Sequence, residues 1–145
     1  MVRAFLDSSF LVELLKGNRV AVNINRVFLS NPGGFILSYN HMVMSEFVYQ
    51  ICFKRGIDLD VVKEILSCFE LLDMDSVVND VAFNYMSKYH FKPNDALILA
   101  TCKHYDIKYL VSLDSDFEKP CEKEGIVLID SAEKLMEVLD GRDSD

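Results

Sequence analysis

Apolar and polar positions fall along the chain in blocks of two kinds. Short, nearly unbroken apolar runs stand at 3–6, at FILSY (35–39), at ELLDM (70–74), at KYLVS (108–112) and at GIVLID (125–130). Runs of this length without alternation suit strands buried on both faces, as in a parallel sheet. Between them, apolar residues return every three or four positions, the period of one helix face. The spacing predicts helices over 10–16, 20–29, 42–53, from 58–60 through Phe69, over 76–89 and over 96–105. A last helix is expected from Asp130 or Ser131, with Asp130 and Glu133 as a capping pair. Gly17, SNPGG (30–34) and KRG (54–56) supply the stops. Strands alternating with helices imply an α/β fold, with a mainly parallel sheet covered by helices on both faces. No repeat, low-complexity tract or linker divides the chain, so 1–139 reads as one domain and 140–145 as a tail that frays. Ligands are expected at the carboxyl ends of the strands.

Composition changes this picture little. Of 145 residues, 50% are apolar and 26% charged, the balance of a folded chain rather than a disordered one. No apolar run approaches the roughly 18–20 residues that span a bilayer. Arg3 is not followed by an apolar stretch with a small-residue cleavage site, so no signal peptide is expected, and the expected location is the cytoplasm. Cys52, Cys68, Cys102 and Cys121 form no C-x-x-C, and His41, His90 and His104 stand at no ligand spacing from them. A zinc site or disulfide framework is therefore not expected. The net charge of −8 argues, at first sight, against a polyanionic partner. That inference fails if the acids gather in a cation site, whose charge inverts when the ion binds.

The placement of the acids is thus the informative quantity. Asp7 follows the first apolar run and Asp114 follows KYLVS, with Asp116 close behind, so both segments end at the rim where α/β sheets place their sites. Each of these alone also reads as a turn or cap residue. Asp95 lies two residues past Pro93 in the first turn of an otherwise apolar helix, where an acid is favoured by the helix dipole. Glu46 is the least expected, because its helical neighbours are Met42, Val43, Tyr49 and Gln50 and form no polar stripe. A carboxylate there must be hydrogen-bonded, protonated or bound to a cation, unless its helix face is simply exposed. Oxygen ligands without nearby His or Cys select a hard cation, Mg²⁺ or Mn²⁺. The chemistry that follows is metal-assisted hydrolysis of a phosphate ester.

Four stretches in order, FLDSSFLVELLKG, MSEFVYQ, PNDALILATC and LVSLDSDF, spread over 5–117, resemble the PIN-domain nucleases, and most of all the small VapC-type toxins. The resemblance implies a three-layer α/β/α fold of about five strands in the order 3-2-1-4-5. It implies a metal-dependent endoribonuclease, with Asp7, Glu46, Asp95 and Asp114 as the catalytic and metal-binding quartet and Asp116 as a further acid. Ser9 and Ser112 match small polar supporting positions, and Ser112 is expected to orient Asp7 by a hydrogen bond. Ser9 and Leu113 depart mildly from the family, in which Asn is common at both positions. The partners implied are RNA, an antitoxin protein and a second copy of the chain. A nuclease of RNA processing or quality control is the alternative, and a catalytically idle protein- or RNA-binding domain is another. The outward face of 42–53, with Phe47 or Tyr49, is a candidate interface, or else more core. Lys16, Arg19, Lys54, Arg55, Lys92, Lys103 and Lys119 are candidates for an RNA backbone, or ordinary solvated surface.

Overall fold

A computed structural model describes residues 2–143. The chain runs β1 (Val2–Leu6), α1 (Ser8–Leu15), α2 (Arg19–Ser30), β2 (Phe35–Asn40), α3 (His41–Val48), α4 (Leu59–Leu66) and β3 (Glu70–Leu72). It continues with α5 (Ser76–Tyr89), α6 (Pro93–His104), β4 (Tyr109–Val111), α7 (Glu118–Glu124), β5 (Val127–Ile129) and α8 (Ala132–Asp143). The five strands form one sheet in the order β3-β2-β1-β4-β5, every neighbouring pair parallel. This is the α/β fold the apolar runs imply, and each expected run contributes a strand.

Parallel neighbours require crossovers, and right-handed ones put the helices of the two crossover directions on opposite faces. The steps β1 to β2 and β2 to β3 run one way, with α1 to α4 between them; β3 to β4 and β4 to β5 run the other, with α5 to α7. The direction reverses between β1 and β4, which lie side by side with Leu6 opposite Val111. That reversal is the switch point of the sheet, where the helices diverge and a crevice opens beyond the strand ends. Ala4, Phe5, Leu6, Leu110 and Val111 are fully buried beneath it, packed with Phe10, Phe47, Leu99 and Phe117 in the core.

Several expectations need correction. The stretch 42–53 is not one α-helix: α3 ends at Val48 and a π-helical turn, Tyr49–Phe53, follows, in which the Lys54 N–H reaches back to the Tyr49 carbonyl at 3.0 Å. Positions two apart on a helix face nearly opposite ways, and Phe47 is fully buried while Tyr49 is 54% exposed. Of the two residues named for an outward face, Phe47 belongs to the core. At the start of α8, the Ser131 hydroxyl accepts from the Lys134 N–H at 3.1 Å, so the cap is Ser131 and not an Asp130–Glu133 pair. The α8 helix runs to Asp143, into the stretch expected to fray, and 144–145 lie outside the described residues. Among the described residues no helix is long and apolar enough to cross a membrane.

Candidate active site

Beyond the ends of β1 and β4 the chain turns outward on both strands. Asp7 is the N-cap of α1: its backbone is extended and its Oδ1 accepts from the Ser8 N–H at 2.8 Å. On sequence one of Ser8 or Ser9 can also cap this helix without help from Asp7; the structure gives the cap to Asp7 instead. Oδ2 of the same carboxylate accepts from the Ser9 hydroxyl at 2.8 Å and from the Ser112 hydroxyl at 2.7 Å. The Asp7 N–H also donates to the Val111 carbonyl at 2.9 Å, continuing the strand pairing one residue past β1. The carboxylate is therefore held from both strands at the switch point.

Asp114 is placed by the second strand. Its N–H donates to the Ser112 hydroxyl at 3.1 Å, and the Leu113 N–H donates to the Ser9 hydroxyl at 3.1 Å. Its Oδ1 caps the short turn Ser115–Phe117 by accepting from the Asp116 N–H at 2.9 Å. Ser112 thus serves both acids, and Ser9 joins Asp7 to Leu113 in the loop after β4.

Glu46 arrives from α3, whose start is fixed by Asn40. The Asn40 side chain caps α3 by accepting from the Val43 N–H at 3.0 Å and donates to Thr101 Oγ1 on α6 at 2.9 Å. This buried amide sets α3 against α6, so that Glu46 faces the start of α6 and Asp95. The Glu46 carboxylate accepts from the Ser8 hydroxyl at 3.1 Å and from the Asn94 amide at 3.3 Å. Ser8 and Asn94 were not anticipated as site residues, although each is the immediate chain neighbour of an anticipated acid.

Asp7, Glu46, Asp95 and Asp114 line one open cleft of about 580 Å³, together with Ser8, Ser9 and Asn94. Asp95, Asp114 and Asp116 form the tightest group, with one carboxylate oxygen of each lying within 4.8 Å of the others. Asp7 and Glu46 stand outside that group, but their charge acts on it. Burial, and after it the charges of Asp114, Asp7, Glu46 and Asp116, push the Asp95 carboxyl up to about 7. Burial likewise raises Asp7, against hydrogen bonds from Ser112 and Ser9 that favour its ionised form, and the charge of Glu46 raises it further. Carboxyls crowded beyond what their own hydrogen bonds relieve are suited to a cation. The donors are all oxygen, which fits a hard divalent ion held by Asp95, Asp114 and Asp116, with Asp7 and Glu46 beside it.

Comparison with known proteins bears on the same residues. The family model for the PIN domain matches residues 4–123, a span that contains all five acids. Ribonuclease VapC6 of Methanocaldococcus jannaschii is 32% identical over 140 residues, covering 79% of this chain and 90% of that protein. Ribonuclease VapC2 of the same organism is 42% identical over 65 residues, 45% of this chain and 44% of that one. Among solved structures, the DNA-bound VapBC of Salmonella typhimurium superposes with a TM-score of 0.66 over 88% of this chain and 97% of its own, at 19% identity. With its sheet order, its switch-point acids and this match, the chain belongs to the PIN-domain family.

Proposed function

We propose that the chain is a metal-dependent endoribonuclease that hydrolyses RNA phosphodiester bonds, and that it is the toxin of a toxin–antitoxin pair acting in the cytoplasm. The observation that carries the reading is the meeting of Asp7, Glu46, Asp95 and Asp114 in one cleft at the switch point, each on a different element. The ribonuclease names of the two Methanocaldococcus relatives support it. A bound Mg²⁺ or Mn²⁺ supplies Lewis acidity, offsetting charge on the phosphoryl oxygens and making a water a stronger acid.

The chain's own residues supply placement. Asp95, Asp114 and Asp116 are the ligands the geometry offers. Three donors hold Asp7 in one orientation, so it presents a fixed negative charge rather than a mobile side chain. Glu46, held through both oxygens by Ser8 and Asn94, keeps lone pairs that can accept a hydrogen bond from a water in the cleft. Among the described residues neither acid has a basic partner within ion-pair distance, so the cleft repels a phosphodiester until a cation enters.

An apolar cleft of about 410 Å³ between α3 and α4, lined by Tyr39, Met44, Val48, Leu59, Val62 and Leu66, supports the antitoxin as partner. The exposed Tyr49 and Phe53 of the π-helical turn support a second copy of the chain. The test is cleavage of structured RNA with Mg²⁺, Mn²⁺ or EDTA, by the wild type and by Asp95→Asn. Cutting that needs the metal and vanishes in a folded variant is expected. RNA bound but never cut, under any ion, would leave the idle-domain reading in its place.

A further inference from the structure

A second cleft, of about 420 Å³, opens on the other side of Asp95. One wall is the end of α5 and the link to α6, bearing Lys88 and Lys92; the other is α7, bearing Lys119 and Lys123. Asp95 and Asp116 stand at its edge, and Asp95 also lines the acidic cleft, so the two are continuous. Four lysines around one cavity run against the composition of a chain with net charge −8.

Lys88 is already engaged, at 3.1 Å from Glu124 Oε2 and 5.1 Å from the Tyr89 ring centroid. The other three have no carboxylate within ion-pair distance among the described residues, although Asp95 and Asp116 share the cleft. Lys123 lies 5.9 Å from the Tyr89 ring centroid. Unneutralised cations held beside acids, yet not collapsed onto them, suit an anion that bridges the gap.

The walls are fixed in place. Glu124 on α7 accepts from the Tyr85 hydroxyl at 3.0 Å, from the Lys88 ammonium and from the Tyr89 hydroxyl, all on α5. His90 adopts the left-handed conformation (φ 56°) and ends α5, turning the chain across the cleft. Phe91 then packs on the buried Phe117, with ring centroids 5.5 Å apart, and Pro93 opens α6 directly after Lys92. The lysine backbones are thus set by packing, and only the flexible ends adjust.

We propose that this cleft is a backbone subsite for single-stranded RNA, in which Lys92, Lys119 and Lys123 take phosphates adjoining the one at the acids. The proposal rests on the ribonuclease reading above. An extended strand with one phosphodiester in the acidic cleft passes Asp95 and lays its neighbouring phosphates on the lysines. Ammonium groups act here as point charges without the planar fork that reads a base edge, so the subsite adds affinity without sequence preference. Lys92 and Lys119 were candidates on sequence; Lys88 and Lys123 enter only through the fold.

The test is binding of a short fluorescent oligouridylate in Ca²⁺, a hard cation that offsets the charge of the acidic cleft, followed by anisotropy at rising salt, with the intact chain. The variants are Lys92→Ala/Lys119→Ala/Lys123→Ala and, as a control of equal charge, Lys63→Ala/Lys108→Ala/Lys134→Ala. Removing three phosphate contacts lowers the slope of log affinity against log salt by about 2, since each contributes about 0.7 on a single strand, and weakens low-salt binding at least about tenfold. The control keeps the wild-type slope. Equal losses in both variants, an unchanged cleft variant, or a wild type that binds no RNA would each overturn the subsite. Cleavage by the wild type with Mn²⁺ is run alongside. Lysine-dependent binding by a protein that cuts nothing would support the subsite while removing the nuclease reading.

Discussion

The Asp7 carboxylate accepts from the Ser8 N–H through one oxygen and from the Ser9 and Ser112 hydroxyls through the other, so the helix cap and the candidate ligand are one group. Cap and ligand are competing readings on sequence alone; the structure makes them compatible, because Oδ1 accepts only from the Ser8 N–H and keeps a second lone pair. Asp7→Asn keeps an acceptor for the Ser8 N–H, and its amide group faces hydroxyls that can rotate to accept. Burial and the nearby Glu46 charge, which raise the Asp7 carboxyl, no longer act on a neutral amide. Cleavage is expected to fall to background while the melting temperature in EDTA holds or rises, as cleavage assays and calorimetry would show. A variant inactive because it unfolds would reduce Asp7 to a cap. Ser112→Ala is expected to behave in the opposite way. It leaves Asp7 Oδ2 with one donor and the Asp114 N–H without its acceptor, all beneath a fully buried position. Urea denaturation should show a loss of about 1–3 kcal/mol, and Mn²⁺ titration an affinity lower by about 10–100-fold.

At the scale of elements, the relation of α3 to α6 decides whether Glu46 meets Asp95. β2 passes into α3 without a loop, and Asn40, the last residue of the strand, both caps the helix and reaches Thr101. Asn40→Ala removes a cap and a buried hydrogen bond, a cost of about 2 kcal/mol, and frees α3 to tilt. Its denaturation midpoint should fall, and metal affinity with it, whereas a purely local cap would leave metal affinity unchanged. The strands were legible because unbroken apolar runs have few alternatives in an α/β chain. The π-helical turn was not, because Met42 to Phe53 keep an apolar face on either period and the extra residue shows only in the backbone. The acids were each legible in place, at strand ends and in the first turn of α6. What holds them was only half legible: Ser9 and Ser112 follow from their motifs, whereas Ser8 and Asn94 act on Glu46 across elements that sequence spacing does not relate. Lys88 and Lys123 are likewise brought together by the packing of α5 on α7, which no local pattern announces.

For the whole molecule the consequence is a stability that depends on pH and on divalent cations together. Asp95 is raised to about 7 in the folded chain, against about 3.9 when unfolded, and Asp7 is also raised. Between those values the folded state holds protons that the unfolded state has released, so stability falls as pH rises and the loss is complete above the folded value. Glu124 acts in the other direction. Burial raises its carboxyl, but hydrogen bonds from Tyr89, Lys88 and Tyr85 outweigh this and hold it below its ordinary value. Its contribution is present above the usual carboxylate range and is lost on acidification. The metal-free protein should therefore melt highest at about pH 4–5, near the ordinary carboxylate values where neither loss has set in, and lower at both pH 8 and pH 3. A divalent cation binding the folded acids stabilises by mass action and competes with the Asp95 proton. Added Mn²⁺ should then raise the melting temperature more at pH 8 than at pH 5.5, and so flatten the profile. Asp95→Asn should flatten the neutral side without metal and lose most of the response to it. Scanning calorimetry of both proteins across this range, with EDTA and with Mn²⁺, gives the comparison; a metal-free wild type equally stable at pH 5.5 and 8 would show that its acids are not crowded in solution.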